Sequence, residues 1–171
     1  MRVITSFDDL DPVPWANGAG ETTELVSLIK SQKLTPDLRR WRLSIARLDR
    51  EAEFSPLPGL ARTFLPIGAE VTLEIDGQMH SVTPAAPVRF RGAQNVSLVG
   101  LDEPCFALNL MVETVGRAGS EQNALQVSTQ FTGSGLFAVT LEPGPGYPRF
   151  QLLELETMDV FPDHLGVAIL H

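Results

Sequence analysis

Trp41-Arg42-Leu43-Ser44-Ile45-Ala46 carries the clearest periodicity in the chain. Apolar Trp41, Leu43 and Ile45 alternate with Arg42, Ser44 and Ala46. A period of two is that of an extended strand with two unlike faces. One face packs apolar side chains, and the other presents a guanidinium and a hydroxyl. Outward from this strand the same grammar repeats. Phe54-Ser55-Pro56-Leu57-Pro58-Gly59 is a corner that cannot continue a ladder. Short strands are expected over 62–65, 71–75, 78–82 and 88–90, and Asp76-Gly77 marks a tight hairpin between the second and third. Further strands are expected over 95–99, 106–112, 125–127, 136–141 and 150–155, and on the N-terminal side over 3–6 and 22–28. The segment 31–37, with Lys33 and Pro36, reads as a polar loop. About a dozen short strands punctuated by Gly and Pro, without a convincing amphipathic helix, define an all-β sandwich or barrel.

Composition narrows the function. The 171 residues are 43% hydrophobic and 20% charged, ordinary for a folded globular chain of about one domain. Thirteen Lys and Arg against twenty-one Asp and Glu leave a net charge of −8, which disfavours nucleic acid and anionic membrane as partners. A single cysteine, Cys105, sits in an apolar run and reads as a small buried hydrophobe. Met1-Arg2-Val3-Ile4-Thr5 lacks the blocks of a signal peptide, and no apolar run reaches the length of a membrane span. The expected location is cytoplasmic. Small, polar residues over 116–123 mark the expected internal seam of a single compact unit spanning 1–171.

The second informative stretch is Pro14-Trp15-Ala16-Asn17-Gly18-Ala19-Gly20-Glu21-Thr22-Thr23-Glu24-Leu25. An aromatic and an amide precede a glycine hinge, and carboxylates follow. The mixture of an apolar plate, an amide and acids suits a pocket as well as it suits an ordinary glycine turn into a strand. As a phosphate loop it fails, because the third glycine of the dinucleotide fingerprint and a Gly-Lys-Ser/Thr ending are both missing.

These blocks resemble the HutD/Ves family, associated with bacterial histidine utilisation. Its opening motif, Trp-x-Asn-Gly-Gly/Ala-Gly with a following Thr and Glu, is matched by Trp15, Asn17, Gly18, Ala19, Gly20, Thr22 and Glu24. A second, Trp-Arg-x-Ser-Ile-Ala, is matched by Trp41 to Ala46. A third, Phe-Ser-x-Phe-Pro-Gly-x-x-Arg, is matched by Phe54, Ser55, Pro58, Gly59 and Arg62, with Leu57 in place of the phenylalanine. Phe90-Arg91-Gly92 resembles a Phe-x-Gly element. Leu108-Asn109-Leu110-Met111 resembles an Asp-x-Asn-x-Met block, with Ala107 where the acid is expected. The resemblance covers roughly residues 12–112. It implies a bicupin, two small jelly-roll-like β-barrels packed together with little helix, and a ligand-responsive regulatory role in histidine catabolism rather than catalysis.

Many cupins hold a metal through histidines and a glutamate. This chain has only His80, His164 and His171, widely separated, so neither a metal nor another cofactor is expected. For the pocket, the informative set is Arg42, Arg62, Ser44, Asn17 and Asn109, with Glu24 and Trp15 beside them. Arginine's planar fork binds carboxylates bidentately, and amides and hydroxyls fix orientation. Either each arginine serves a structural ion pair with Glu24, Glu53 or Asp49, or these residues converge on a concave mouth that takes a small anionic metabolite. The family association suggests a urocanate- or formylglutamate-like molecule. The rival reading is a metal-independent isomerase or hydrolase using Glu24 or Glu21 as general base. Three residues apart on one strand, those two carboxylates should face opposite ways. A homodimer is compatible with all of this.

Overall fold

The computed structural model describes residues 1–114, 123–130, 133–162 and 164–171. In chain order its strands are β1 (Arg2–Ser6), β2 (Val13–Pro14), β3 (Gly20–Val26), β4 (Trp41–Leu48), β5 (Ala52–Glu53), β6 (Leu60–Ile67), β7 (Val71–Ile75) and β8 (Gln78–Val82). They continue with β9 (Val88–Arg91), β10 (Val96–Gly100), β11 (Cys105–Glu113), β12 (Val127–Ser128), β13 (Phe137–Thr140), β14 (Gln151–Glu154) and β15 (Val167–Leu170). One short helix, α1 (Leu28–Leu34), follows β3.

The strands form three antiparallel sheets. Six form a central sheet in the order β2-β3-β4-β11-β6-β9, four form a second in the order β5-β10-β7-β8, and five form a third in the order β1-β14-β13-β15-β12. The chain's N-terminal strand therefore belongs to the otherwise C-terminal sheet, where β1 pairs with β14.

The central sheet is covered on both faces. Leu43, Ile45, Leu65, Leu108 and Leu110 pack from one face against Phe137, Val139, Leu152 and Leu170 of the third sheet. From the other face Ala46, Leu48, Phe64 and Ala107 pack against Leu73, Ile75, Val96 and Leu98 of the second. The third sheet's outer face carries a smaller cluster that includes Leu153, Phe161 and Ile169.

The all-β architecture follows the Gly/Pro punctuation, and Asp76-Gly77 forms the expected turn between β7 and β8, with both residues at positive φ (48° and 81°). Three expectations need correction. Among the described residues no sheet closes on itself, so the architecture is open sheets stacked in layers rather than two barrels. The polar loop expected over 31–37 is in part helix. Ser27 caps it by accepting from the Lys30 N–H, and its only fully buried residue is Ser31, whose hydroxyl donates to the Leu28 carbonyl and accepts from the Trp41 N–H. A helix that docks through a serine leaves no apolar stripe to read. Finally, β15 was not anticipated, although it lies inside the third sheet between β13 and β12. The expected seam at 116–123 lies almost wholly outside the described residues.

Candidate functional site

Register builds the site. In the central sheet Glu24 of β3 lies opposite Ser44 of β4, which lies opposite Asn109 of β11, which lies opposite Phe64 of β6. Two residues along, Arg42 lies opposite Met111, Met111 opposite Arg62, and Arg62 opposite Phe90 of β9. Because side chains alternate between faces, both rows stand on the same side of the sheet. That side faces the second sheet and the loops at residues 15–19 and 54–57. Between them is a cavity of about 480 Å³. Its lining includes Trp15, Asn17, Arg42, Ser44, Arg62 and Asn109, six of the seven expected ligand-binding residues. The seventh, Glu24, is outside the lining. It is half-exposed, and Arg42 Nε donates to its carboxylate. Glu21 is also outside, paired with Arg47 at 2.8 Å and next to Arg47's second partner, Asp49. Both carboxylates of the rival enzymatic reading are therefore held in ion pairs.

The residues flanking the glycine hinge, Trp15, Ala16, Asn17 and Thr22, form part of the cavity's wall. Trp15 N–H donates to the Gly20 carbonyl, and Asn17 Oδ1 accepts from the Ala19 N–H at 2.9 Å. Half of the Asn17 amide is thus committed to its own turn. Trp15 Nε1 donates to Thr22 Oγ1 at 2.8 Å, which fixes the indole against the cavity. Gly20 is required by close approach: a Cβ there would lie 2.2 Å from the Arg47 carbonyl oxygen and 3.3 Å from the indole ring.

Arg62 stands apart from the other arginines. It is 8% exposed, and among the described residues it has no carboxylate partner. Its guanidinium carbon sits 5.5 Å from the Phe54 ring centre and 5.1 Å from that of Phe90. One Nη donates to the Ser55 carbonyl at 3.3 Å, a weak contact, and the buried Nε has no partner. Burial, and secondarily the positive charge of Arg42, push its pKa down to about 10. Cation–π contacts offset part of the desolvation cost but do not neutralise the charge. Ser44 and Asn109, 2% and 7% exposed, also make no side-chain hydrogen bond to another described residue.

The sequence reading missed Phe54, Phe64 and Phe90 as parts of the site. Phe64 was accessible to it, since it stands two residues from Arg62 on one strand and so shares its face. No histidine or cysteine lines the cavity, and no cluster of three or more His, Cys, Asp or Glu occurs among the described residues. Cys105 is buried, and burial raises its thiol pKa, as for a packing residue. Among the same residues no helix is long and apolar enough to cross a membrane.

Three antiparallel sheets in layers, with a cavity of polar and aromatic residues on the central one, give the chain the fold of the HutD structures. Residues 8–141 match the HutD family, and the chain belongs to it. It is similar to Protein Ves of Escherichia fergusonii, with 37% identity over 84 residues, covering 48% of this chain and 42% of that protein. It is also similar to Protein Ves of Citrobacter koseri, with 34% identity over 102 residues, 58% of this chain and 51% of that one. The chain spans about half the length of the curated relatives it matches. Among solved structures, HutD from Pseudomonas fluorescens SBW25 superposes with a TM-score of 0.66 at 22% identity, covering 97% of this chain and 94% of that one. PA5104 from Pseudomonas aeruginosa PAO1, a conserved protein of unknown function, gives 0.67 at 19% identity, with 99% and 90% coverage. At these identities the structural likeness concerns the fold.

Proposed function

We propose that the cavity binds a small carboxylated metabolite through Arg62, and that the protein acts as a cytoplasmic, metal-free regulator of histidine utilisation. The observation that carries this reading is the buried Arg62 guanidinium without a counter-ion. Burying a charge is costly unless it is paired, and paired arginines elsewhere in this chain show how readily acids are supplied where none is missing. A ligand carboxylate is the natural complement to such a fork. Ser44 and Asn109 supply further unpaired polar groups, and Trp15, Phe54 and Phe64 supply flat apolar walls. That combination, a few fixed polar groups on an aromatic lining, is how small-molecule sites are built. HutD family membership supports the link to histidine catabolism and to urocanate- or formylglutamate-like ligands.

A thermal-shift screen against histidine-pathway metabolites tests this, because a ligand that binds only the native state raises apparent stability. The expected result is a stabilising carboxylate that is not turned over, whose affinity falls about tenfold to a hundredfold in Arg62→Ala and recovers only in part in Arg62→Lys. Turnover of the hit would replace the regulator with an enzyme. An Arg62→Ala protein that binds the same metabolite unchanged would refute the site.

A further inference from the structure

We infer that this site selects a ligand with a single negative charge and an uncharged polar far end, and that the Glu24–Arg42 ion pair sets that selectivity. The inference rests on the carboxylate-binding reading above and deepens it. Two guanidiniums stand on one cross-strand row, Arg42 and Arg62, with Met111 between them. They are two strands apart, so their backbones lie on the order of 10 Å from one another, a spacing that a two-headed dicarboxylate could bridge. Only one of the two lacks a carboxylate partner among the described residues. Glu24, on the neighbouring strand, accepts from the Nε of Arg42, and Arg42's other contact, from Nη1 to Met111 Sδ at 3.9 Å, is weak. Arg62 has no acid at all among the described residues.

The rest of the wall is neutral or negative. Ser44 and Asn109, one row along from the arginines, present a hydroxyl and an amide that no described residue satisfies. Such groups match a carbonyl, amide or ring nitrogen and do not compensate a second carboxylate. Glu53, an exposed residue on the cavity lining, adds a negative charge that repels one. An unpaired charge brought into a partly desolvated site is penalised more than its neutral isostere, which is how a pocket rejects by charge rather than shape. One carboxylate is therefore attracted, and a second meets a neutralised arginine and an acid.

Isosteric probes separate charge from size. N-formylglutamine and N-formylglutamate differ only in whether the side chain ends in an amide or a carboxylate, and trans-urocanate supplies a flat monoanion. Titration calorimetry on the full chain should show at least one of the monoanions binding, and N-formylglutamine binding about tenfold or more tightly than N-formylglutamate. Glu24→Gln frees Arg42 without changing side-chain size, and should narrow or invert that preference by improving the dianion. Its melting curve serves as the check on folding, and Glu24→Ala gives a second route to the same change. If N-formylglutamate binds wild type as well as or better than N-formylglutamine, and Arg62→Ala abolishes it, the single-charge inference is wrong while the carboxylate site stands. If the preference exists but Glu24→Gln and Glu24→Ala leave it untouched, the role given to the ion pair is wrong. If none of the three probes binds, or binding ignores Arg62→Ala, the underlying carboxylate site fails, and this inference with it.

Discussion

The two faces of the central sheet are made by the same strands and do opposite work. Toward the third sheet, β4, β6 and β11 present Trp41, Leu43, Ile45, Leu65, Leu108 and Leu110, all nearly inaccessible and in one continuous cluster. Toward the second sheet, the alternate residues of those strands are Arg42, Ser44, Arg62 and Asn109, beside a cavity. Because the side-chain period is two, one register fixes both faces at once. The filled face tolerates no slip, so it holds the register that lines up the polar rows. Under the proposed function, stability and recognition are thereby assigned to alternate residues of one strand. Substitutions one residue apart should therefore give different phenotypes.

The largest effect is expected on the filled face. Trp41→Ala removes a fully buried ring that packs at 5.6 Å from Phe137 and donates through Nε1 to Thr35, and should cost about 3–5 kcal/mol in chemical denaturation. A loss below about 1 kcal/mol would mean the two sheets do not depend on this contact. Next comes Gly20→Ala at the cavity wall. A methyl there has no space against the Arg47 carbonyl, so we expect roughly 1–3 kcal/mol of destabilisation together with weaker carboxylate binding, as the indole of Trp15 is displaced. Unchanged binding would detach Trp15 from the site. The smallest effect belongs to the solvent side. Glu21→Gln breaks an exposed pair with Arg47, which retains Asp49, and should leave the melting temperature and ligand affinity where they were. Any loss of ligand response in that variant would revive Glu21 as a functional acid.

The pH dependence separates the faces further. Burial depresses the Arg62 pKa to about 10, so the folded state releases this proton more readily than the unfolded chain. Its cost to stability is present at neutral pH and is relieved only as pH rises through the folded value. Carboxylate affinity should accordingly stay level across the neutral range and decline only on approach to that value. An affinity titrating near neutrality would point to a different binding group.

Most of the fold was legible because Gly, Pro and the Trp41–Ala46 alternation are local signals that burial reinforces. What escaped depends on partners distant in sequence. Helix α1 hides because its one buried residue is Ser31, held by bonds to Leu28 and Trp41, while Leu34 packs on the core only in part. Whether the two expected barrels close is decided by how sheet edges meet, which no short window encodes. In the site, type and face were legible for Arg42 and Ser44, and Glu24 was among the acids named as an arginine partner, but which arginine it takes was not legible. That Glu24 neutralises Arg42 and leaves Arg62 alone follows from strand order and a register shift between Glu24 and Val26. The aromatic flank of Arg62 likewise comes from two distant places, Phe54 and Phe90, with Phe64 packed against Phe54.

Calorimetric titration and thermal melting of Arg62→Leu, beside wild type, give the most direct test. Leucine keeps apolar packing between Phe54 and Phe90 and removes an uncompensated buried charge. If Arg62 is kept for a ligand rather than for the fold, the variant should melt at the same temperature or higher and lose carboxylate binding. A variant that melts lower and binds the carboxylate with wild-type affinity would contradict the account.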